Sequence, residues 1–485
     1  MSATLLWYDL ETFGRNPAWD RIAQYASVRT GADFEPVGDP TVLYCRASPE
    51  YLPEPEACLV TGLTPQRVKP QGLSEAEFAD RVHREMTVPG SCVVGYNTVR
   101  FDDEFIRNLF YRNFYDPYRR EYADGNSRWD IVDLVRMTHD LRPEGITWPE
   151  GEDGKPVFQL ELLSAANGLL HNKAHDALSD VYATIALARL VHERQPKLFE
   201  FLFKLRKKDE VRKLLSLQSP EPLIHSSALY TRSGACSSIV YPISAHPDSA
   251  NAVLVYDLRH DPRGWMDLTP EEIRKRVFAP KDHIDESDRV RFVSVHLNRC
   301  PALAPLPTLS EQRALELGID TAECLRNAER LKAEPGLVQK IREVYAGGHE
   351  QRRDPKDPDL QIYSGGFFGD EDRQTFDYVH QAEPQELLKA PPGFRDPRGS
   401  QLLWRYLARN YYELLPPEDK SRWMSHCAAR LLAPEIDDAV DFKRFRRKVE
   451  NLLARSDTPA SHKGILLELR EYADWIEAHV LSHKG

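Results

Sequence analysis

Long apolar runs, paired cysteines and a basic leader are missing from this sequence. No apolar run approaches the roughly 20 residues of a membrane-spanning helix, and the N-terminus lacks the basic and apolar segments of a secretory leader. The 7 cysteines are scattered and include no Cys-x-x-Cys pair, which predicts reduced core thiols rather than a zinc or redox site. We therefore expect a cytoplasmic protein that has no membrane partner.

An excess of positive charge is also missing, because the formal net charge is −11. This value argues against indiscriminate binding of polyanions, but a local basic groove on an acidic protein can still bind nucleic acid. Hydrophobic residues make up 41% and charged residues 29% of the chain, a balance typical of globular proteins. A chain of 485 residues is too long for one compact core and should divide into several domains.

An apolar run that ends in two carboxylates opens the chain, with Leu5 to Tyr8 followed by Asp9 and Glu11. The run predicts a β-strand, and residues two apart on a strand project from the same face. Two such carboxylates repel each other unless a cation joins them, and Mg²⁺ prefers carboxylate oxygens. The alternative is the exposed end of an edge strand whose acids are only solvated.

A second acid follows an apolar run at 93–97, which predicts a buried strand. Phe101 and Phe105 have helical spacing, so Asp102 lies in the first turn of a predicted helix. Asp102 is a candidate metal ligand. The alternative is an acid that caps the helix and complements its dipole, and we interpret the neighbouring Asp103 as such an auxiliary acid.

A third group lies where a helix is predicted to start and run through Leu190. Asp176 has the character of an N-cap, Asp180 lies one turn into the helix, and His175 precedes it in the loop. A lone histidine before a helix is usually a surface or packing residue. The five-residue spacing to Asp180 could instead direct both side chains into one cleft.

These acids together favour one chemistry. Carboxylates from a strand and two helix starts can hold two Mg²⁺ ions about 3.5–4 Å apart, the arrangement used for phosphodiester cleavage. A histidine, with an ordinary pKa near 6.5, can take the proton of an attacking water at neutral pH. The residues thus predict a metal-dependent nuclease.

Three motifs, in this order, resemble those of the DEDD exonuclease superfamily in its His-containing branch: Asp9-x-Glu11, Phe101-Asp102 and His175-(x)4-Asp180. Longer strings resemble the bacterial exonuclease I family of single-strand-specific 3′→5′ deoxyribonucleases. They occupy residues 9–14, 95–104, 112–118 and 142–146.

The resemblance implies an enzyme that releases 5′-mononucleotides from the 3′ end of single-stranded DNA in DNA repair and recombination. It implies Asp9, Glu11, Asp102 and Asp180 as ligands of two Mg²⁺ ions, with Mn²⁺ able to substitute. It also implies His175 as the general base, and we expect Glu11 to contact substrate as well.

Other substrate contacts are predicted outside the acidic motifs. The family places a substrate-contacting arginine where this chain has Gln159, so a phosphate contact by Gln159 should be weaker, or the contact should be supplied elsewhere. Aromatic rings and guanidinium groups alternate over 110–120, a pattern that suits base stacking and phosphate binding. Arg112, Tyr115 and Arg119 are therefore candidate contacts.

In the rest of the chain, the spacing of apolar residues is first typical of strands and then of helices. Strand-like runs at 238–243, 252–258 and 290–297, with helical insertions, predict a small barrel, and helical patterns follow to the C-terminus. The resemblance implies an α/β ribonuclease H-like mixed sheet with helices, then a Src-homology-3-like β-barrel with helical insertions, then an all-helical domain. The predicted domains are 1–195, 196–350 and 351–485.

Basic clusters at 204–213 and 443–448 are predicted as solvated helix faces, with a DNA-backbone role as the alternative for the first. The resemblance implies that basic surface on the second and third domains receives the acidic C-terminal tail of single-stranded-DNA-binding protein. We expect a monomer. Two other functions stay open: an RNA 3′-exonuclease of the same superfamily and a catalytically silent DNA-binding protein.

Overall fold

A computed structural model describes residues 4–169, 176–280, 283–285, 288–346, 354–436 and 439–481, without the side chains of 231–233. Its residues group into two compact units. One unit comprises 1–127, 171–182 and 353–485, and the other comprises 128–170 and 183–352. This grouping places the C-terminal helices in the same unit as the N-terminal strands. It does not test the three predicted domain boundaries, which stay a prediction.

The first sheet forms from apolar segments at the start of the chain. Strand β1 pairs antiparallel with β2 and parallel with β4, and β2 pairs antiparallel with β3. The first three strands therefore form an antiparallel meander. The sheet order is β3-β2-β1-β4-β5, and β5 begins at the last residue of the first segment of unit one. The strands are β1 (Thr4–Thr12), β2 (Ile22–Thr30), β3 (Thr41–Tyr44), β4 (Ser91–Gly95) and β5 (Ser127–Asp130).

Helices α1 to α4 lie between these strands in the sequence. Helix α3 begins with a capping box, in which the Ser74 hydroxyl accepts from the Glu77 N–H and the Glu77 carboxylate accepts from the Ser74 N–H at 3.1 Å. The helices are α1 (Pro55–Thr61), α2 (Pro65–Val68), α3 (Glu75–Met86) and α4 (Asp102–Arg112).

The middle of the chain carries a second sheet and short helices. The sheet is antiparallel throughout, in the order β10-β6-β7-β8-β9. The three predicted strands are present as β7, β8 and β9, beside two strands that the sequence did not indicate. Helix α7 begins in the first unit and continues into the second. The helices are α5 (Val132–Leu141), α6 (Leu160–Ala166), α7 (Ala177–Arg194), α8 (Pro196–Lys204), α9 (Lys208–Leu214), α10 (Arg263–Met266), α11 (Pro270–Phe278), α12 (Glu311–Glu316), α13 (Thr321–Ala333) and α14 (Leu337–Tyr345), and the strands are β6 (Leu223–Ser226), β7 (Ser237–Ala245), β8 (Ala252–Asp257), β9 (Phe292–His296) and β10 (Ala302–Pro305).

The C-terminal helices share a core with the N-terminal segment of the same unit. Phe13 and Trp19, which follow β1, belong to one buried cluster with Trp423, Phe445 and Leu469. The first sheet and these helices are therefore one packed body. The helices are α15 (Asp370–Gln381), α16 (Pro384–Lys389), α17 (Pro397–Asn410), α18 (Pro417–Leu432), α19 (Phe442–Ala454) and α20 (Ala460–Leu481).

The prediction of core thiols is confirmed. The 7 cysteines are buried free thiols. Among the helices whose residues are described, none combines the length and the apolar character needed to cross a membrane.

A pair of helical glycines gives a test of the C-terminal packing. A Cβ atom on Gly399 in α17 would overlap the Phe394 ring, whereas one on Gly464 in α20 would meet open space. We expect Gly399→Ala to lower the free energy of unfolding by about 1–3 kcal/mol through overpacking. The matched Gly464→Ala should raise it by about 1 kcal/mol, because alanine is the better helix former. Urea denaturation of both variants measures the difference, and equal effects would contradict this packing.

Candidate active site

Strand β1 presents the first two carboxylates. Asp9 lies opposite Ala26 and Glu11 opposite Gln24 on β2, and the register shifts directly after Glu11. Because the two acids are separated by one residue within a regular strand, they project from the same face of the sheet. Both carboxylates therefore lie on one face of a strand, as the sequence predicts.

Helix α7 brings a third carboxylate to this face. Asp180 lies in its first turn, and ligand oxygens of Asp9, Glu11 and Asp180 all lie within 4.8 Å of one another. Asp176, just before α7, accepts a hydrogen bond at 3.1 Å from the Gln24 side chain. Because Gln24 lies on β2, this bond ties the start of α7 to the sheet.

Asp102 approaches from the start of α4. Its side chain is buried with 5% exposure, and it is close enough to Asp9 to raise the pKa of that carboxyl. It is not one of the three acids with mutually close oxygens. The structure therefore gathers Asp9, Glu11 and Asp180, with Asp102 beside Asp9.

A buried hydrogen-bond chain that the sequence did not indicate fixes this approach. The Tyr8 hydroxyl donates to Asp103 Oδ1 at 2.8 Å, and Arg120 Nη2 donates to the same oxygen at 2.6 Å. Tyr8 precedes Asp9 and Asp103 follows Asp102, so the bond ties β1 to α4 next to the two acids. Local sequence gives no signal for it, because its partners are 95 positions apart.

The electrostatics of the acidic face call for a cation. Burial raises the pKa of Asp9 well above its ordinary value, and the charges of Asp102, Glu11 and Asp180 raise it further. The pKa of Glu11 is raised to about 7, mainly by burial and to a smaller extent by the charges of Asp180 and Asp176. Within the described part of the chain, the charged neighbours that shift the pKa of these two groups are all acidic. A divalent cation would relieve this repulsion, and oxygen donors of this kind suit a hard ion.

The raised pKa of Glu11 predicts how pH affects the metal-free protein. Because its folded pKa of about 7 exceeds the ordinary value, its contribution to stability is full below about pH 4 and is lost as the pH rises to 7. In EDTA, Glu11→Gln should remove this decline and be more stable than wild type at pH 8, by on the order of 3 kcal/mol. Urea denaturation from pH 4 to 8 measures it, and parallel profiles would contradict the shift.

Two of the remaining candidates, Arg112 and Tyr115, contact side chains other than these acids. His175 lies outside the described residues. Arg112 has 2% exposure and its Nε donates to Glu75 at 3.2 Å, so the guanidinium is held in the interior. Tyr115 is stacked between two histidine rings, each with its centroid 4.1 Å away.

Arg119 and Gln159 lie at the surface. Arg119 is exposed and stands 3.5 Å from Asp124. Gln159 is exposed and directly precedes α6, in the second unit. The side chains of both are available to solvent.

Models of known protein families match three successive parts of the chain. A model described as "Exonuclease" matches residues 6–188, the "Exonuclease I SH3-like domain" matches 206–347, and the "Exonuclease I C-terminal domain" matches 356–476. The predicted fold class is thereby confirmed: a mixed sheet with helices, an SH3-like domain and a helical C-terminal domain.

Individual relatives match nearly the whole chain. Exodeoxyribonuclease I of Escherichia coli (strain K12) is 43% identical over 474 residues, which are 98% of each chain. The solved exonuclease I of Methylocaldum szegediense has a TM-score of 0.91 at 45% identity, covering 98% of this chain and 99% of that one. E. coli exonuclease I in complex with a dA16 oligonucleotide has a TM-score of 0.93 at 40% identity, with coverages of 98% and 100%. The chain belongs to the exodeoxyribonuclease I family.

Proposed function

We propose that this chain hydrolyses single-stranded DNA from the 3′ end and releases 5′-mononucleotides. The observation that carries the proposal is the group of carboxylate oxygens from Asp9, Glu11 and Asp180 within 4.8 Å, inside the segment that matches the exonuclease model. The solved relative that holds a dA16 oligonucleotide supports single-stranded DNA as the substrate. DNA repair and recombination are the setting that the family suggests.

The metal of the reaction is proposed to be Mg²⁺, as two ions held by Asp9, Glu11, Asp102 and Asp180. A solved complex of E. coli exonuclease I with single-stranded DNA contains a zinc ion and has a TM-score of 0.92 with this chain at 40% identity, which supports a divalent metal at this kind of site. Ions bound there supply charge stabilisation at the scissile phosphate and make an attacking water more acidic.

The fold of the chain itself fixes the positions of the carboxylates in this site. Strand β1 holds Asp9 and Glu11 on the same face of the sheet, and the first turn of α7 holds Asp180. The carboxylates therefore need little rearrangement to act together. Because their pKa values are raised, a bound cation would favour the ionised form of these carboxylates at neutral pH. His175 is proposed as the general base that takes the proton of the water, a role that rests on the family motif.

A protein partner is also proposed. A solved structure of an SSB/exonuclease I complex with an inhibitor has a TM-score of 0.88 with this chain at 39% identity, which supports single-stranded-DNA-binding protein as a partner. That the contact is made by its acidic tail rests on the family resemblance. In the 443–448 cluster, Arg446 pairs with Asp474 at 2.6 Å and Lys448 pairs with Glu54 at 2.5 Å. Part of this cluster is thus neutralised within the chain, and a monomer remains the proposed state.

Digestion of end-labelled DNA tests the proposed function. Single-stranded DNA labelled at the 3′ or the 5′ end is incubated with Mg²⁺, beside matched duplex and RNA, using wild type and Asp9→Asn. We expect early release of the 3′ label as a mononucleotide from single-stranded DNA only, and none with the variant. Cleavage of RNA alone would move the chain to the RNA-degrading relatives. If no substrate is cleaved, the result would favour a DNA-binding protein without catalytic activity.

The Tyr8–Asp103 bond predicts a milder loss of activity. Tyr8→Phe removes the hydroxyl that donates to Asp103 while Arg120 still holds that carboxylate. Outer partners of metal ligands typically contribute 10–100-fold. Because Tyr8 acts on Asp102 only through the neighbouring Asp103, we expect kcat to fall by no more than about tenfold at saturating Mg²⁺. Tyr122→Phe, on a side chain with 68% exposure, is the control. Equal kinetics of the two variants would remove Tyr8 as a positioning residue.

A further inference from the structure

The loop at 13–21 joins β1 to β2 and borders the acidic site. Because the two strands pair antiparallel, the loop lies at the end of the hairpin where Glu11 faces Gln24. Gln24 donates to Asp176 just before α7, and an oxygen of Asp180 in that helix lies within 4.8 Å of one of Glu11. The acids and the loop are therefore at the same end of the sheet.

A buried carboxyl group fixes the shape of this loop. Asp20 has 3% exposure, and its Oδ2 accepts a hydrogen bond from the Asn16 N–H at 2.8 Å. A Cβ atom on Gly14 would lie only 2.2 Å from the same oxygen, so this backbone runs directly over the carboxyl group. The Thr12 hydroxyl donates to the Gly14 carbonyl at 2.7 Å. The turn at 14–16 is thus held from its inner side before any ligand binds.

Arg15 is the central residue of this turn, and its side chain is exposed. In the part of the chain that the structure describes, no hydrogen bond or ion pair engages the Arg15 guanidinium. Arg15 follows Glu11 by four residues, so the two Cα atoms are at most about 14 Å apart. The turn therefore presents an uncompensated cation beside the acids from a fixed backbone.

A strand of DNA brings negative charge that the acidic site does not balance. When ionised, the proposed ligands offset the charge of two Mg²⁺ ions, so phosphates next to the cleaved one gain little net attraction from the site. The chain as a whole has a formal net charge of −11, which adds repulsion. A guanidinium beside the site would offset this repulsion, and arginine can bind a phosphate through two parallel N–H donors.

We propose that Arg15 is a substrate-binding residue that holds a phosphate of the DNA strand near the cleaved bond but not at it. Arg15 is not among the described groups that shift the pKa of Glu11, so its guanidinium stands away from the acids and from the phosphate that they would hold. The inference rests on the proposed function, because it takes single-stranded DNA as the substrate.

Binding of a short oligothymidylate tests the contact without cleavage. Arg15→Gln, Arg15→Lys and the control Arg81→Gln, on an exposed position of α3, are each made in the Asp9→Asn chain and titrated by fluorescence anisotropy with Mg²⁺. We expect Arg15→Gln to weaken binding about fivefold. It should also reduce the slope of log Kd against log salt by about 0.7, the value for one phosphate contact on a single strand. Arg15→Lys should keep the slope because it keeps the charge, and Arg81→Gln should match the parent chain.

Uncharged linkages locate the phosphate. Methylphosphonates replace the phosphates near the 3′ end one at a time. One linkage other than the 3′-terminal one should weaken binding by the parent chain about fivefold and have no effect on Arg15→Gln. Equal responses of the two chains at every linkage would show that Arg15 contacts no phosphate. A difference at the 3′-terminal linkage alone would overturn the placement away from the cleaved bond, and unchanged affinity and slope in Arg15→Gln would make Arg15 a solvated surface charge.

Steady-state digestion separates this inference from the proposed function. With Asp9 intact, Arg15→Gln should raise KM for single-stranded DNA more than it lowers kcat, because the contact is made before and during the reaction. If the wild-type chain cleaves no single-stranded DNA, the proposed function fails. If the wild-type chain cleaves it and Arg15→Gln has the same KM and salt dependence, only the role of Arg15 fails.

Discussion

Asp9→Asn is expected to abolish DNA hydrolysis and, at the same time, to stabilise the metal-free protein. Asp9 supplies one of three oxygens within 4.8 Å, so its loss should lower kcat by at least about a thousandfold, since a metal site contributes several kcal/mol to such a reaction. Burial and three acidic neighbours raise the pKa of Asp9, so its charge destabilises the metal-free fold. We expect the free energy of unfolding in EDTA at pH 8 to rise by about 1–3 kcal/mol.

Thermal unfolding with and without Mg²⁺ separates the two effects. Wild type should gain melting temperature with Mg²⁺, because an ion that binds only the folded state stabilises it, and Asp9→Asn should gain little. Asp39→Asn is the control, because Asp39 is exposed and outside the acidic face. A variant less stable than wild type in EDTA would mean that a cation of the chain already compensates Asp9. Full activity would remove Asp9 from the site.

The acidic site could be predicted because its signals are local. An apolar run fixes β1, its alternation puts Asp9 and Glu11 on one face, and the helix starts place Asp102 and Asp180 in first turns. Each inference needs fewer than about ten neighbouring residues and one period of the chain. The same reasoning placed the strands predicted at 93–97, 238–243, 252–258 and 290–297 within two residues of their observed bounds.

The contacts between distant segments could not be predicted in this way. Arg112 has the local sequence of a substrate-contacting arginine, but its side chain is buried against Glu75, 37 positions earlier. Glu50 meets Arg409 across 359 positions, and a single sequence carries no pattern that pairs them. Whether an arginine faces solvent or an interior acid depends on how whole segments pack, which periodicity does not describe.

These distant charges form a buried cluster that is expected to hold the C-terminal helices to the N-terminal strands. Asp359 has 0% exposure and lies 3.0 Å from Arg409, 3.3 Å from Arg405 and 3.4 Å from Arg430. Asp359→Asn would leave three buried guanidinium groups short of one negative charge. Removing one partner of a buried ion pair typically costs about 3–5 kcal/mol, and we expect a loss of that size in urea denaturation at pH 7.

The pH dependence identifies charge as the cause. Burial alone would raise the pKa of Asp359, but the guanidinium groups of Arg409, Arg405 and Arg430 outweigh burial and hold the pKa well below its ordinary value. The stability from this carboxylate is therefore present above about pH 4 and is lost as the pH falls further, so the difference from Asp359→Asn should shrink in acid. Glu371→Gln, which breaks an exposed pair with Arg395, should cost less than about 1 kcal/mol. A difference that stays constant down to pH 3 would attribute the loss to packing instead of charge.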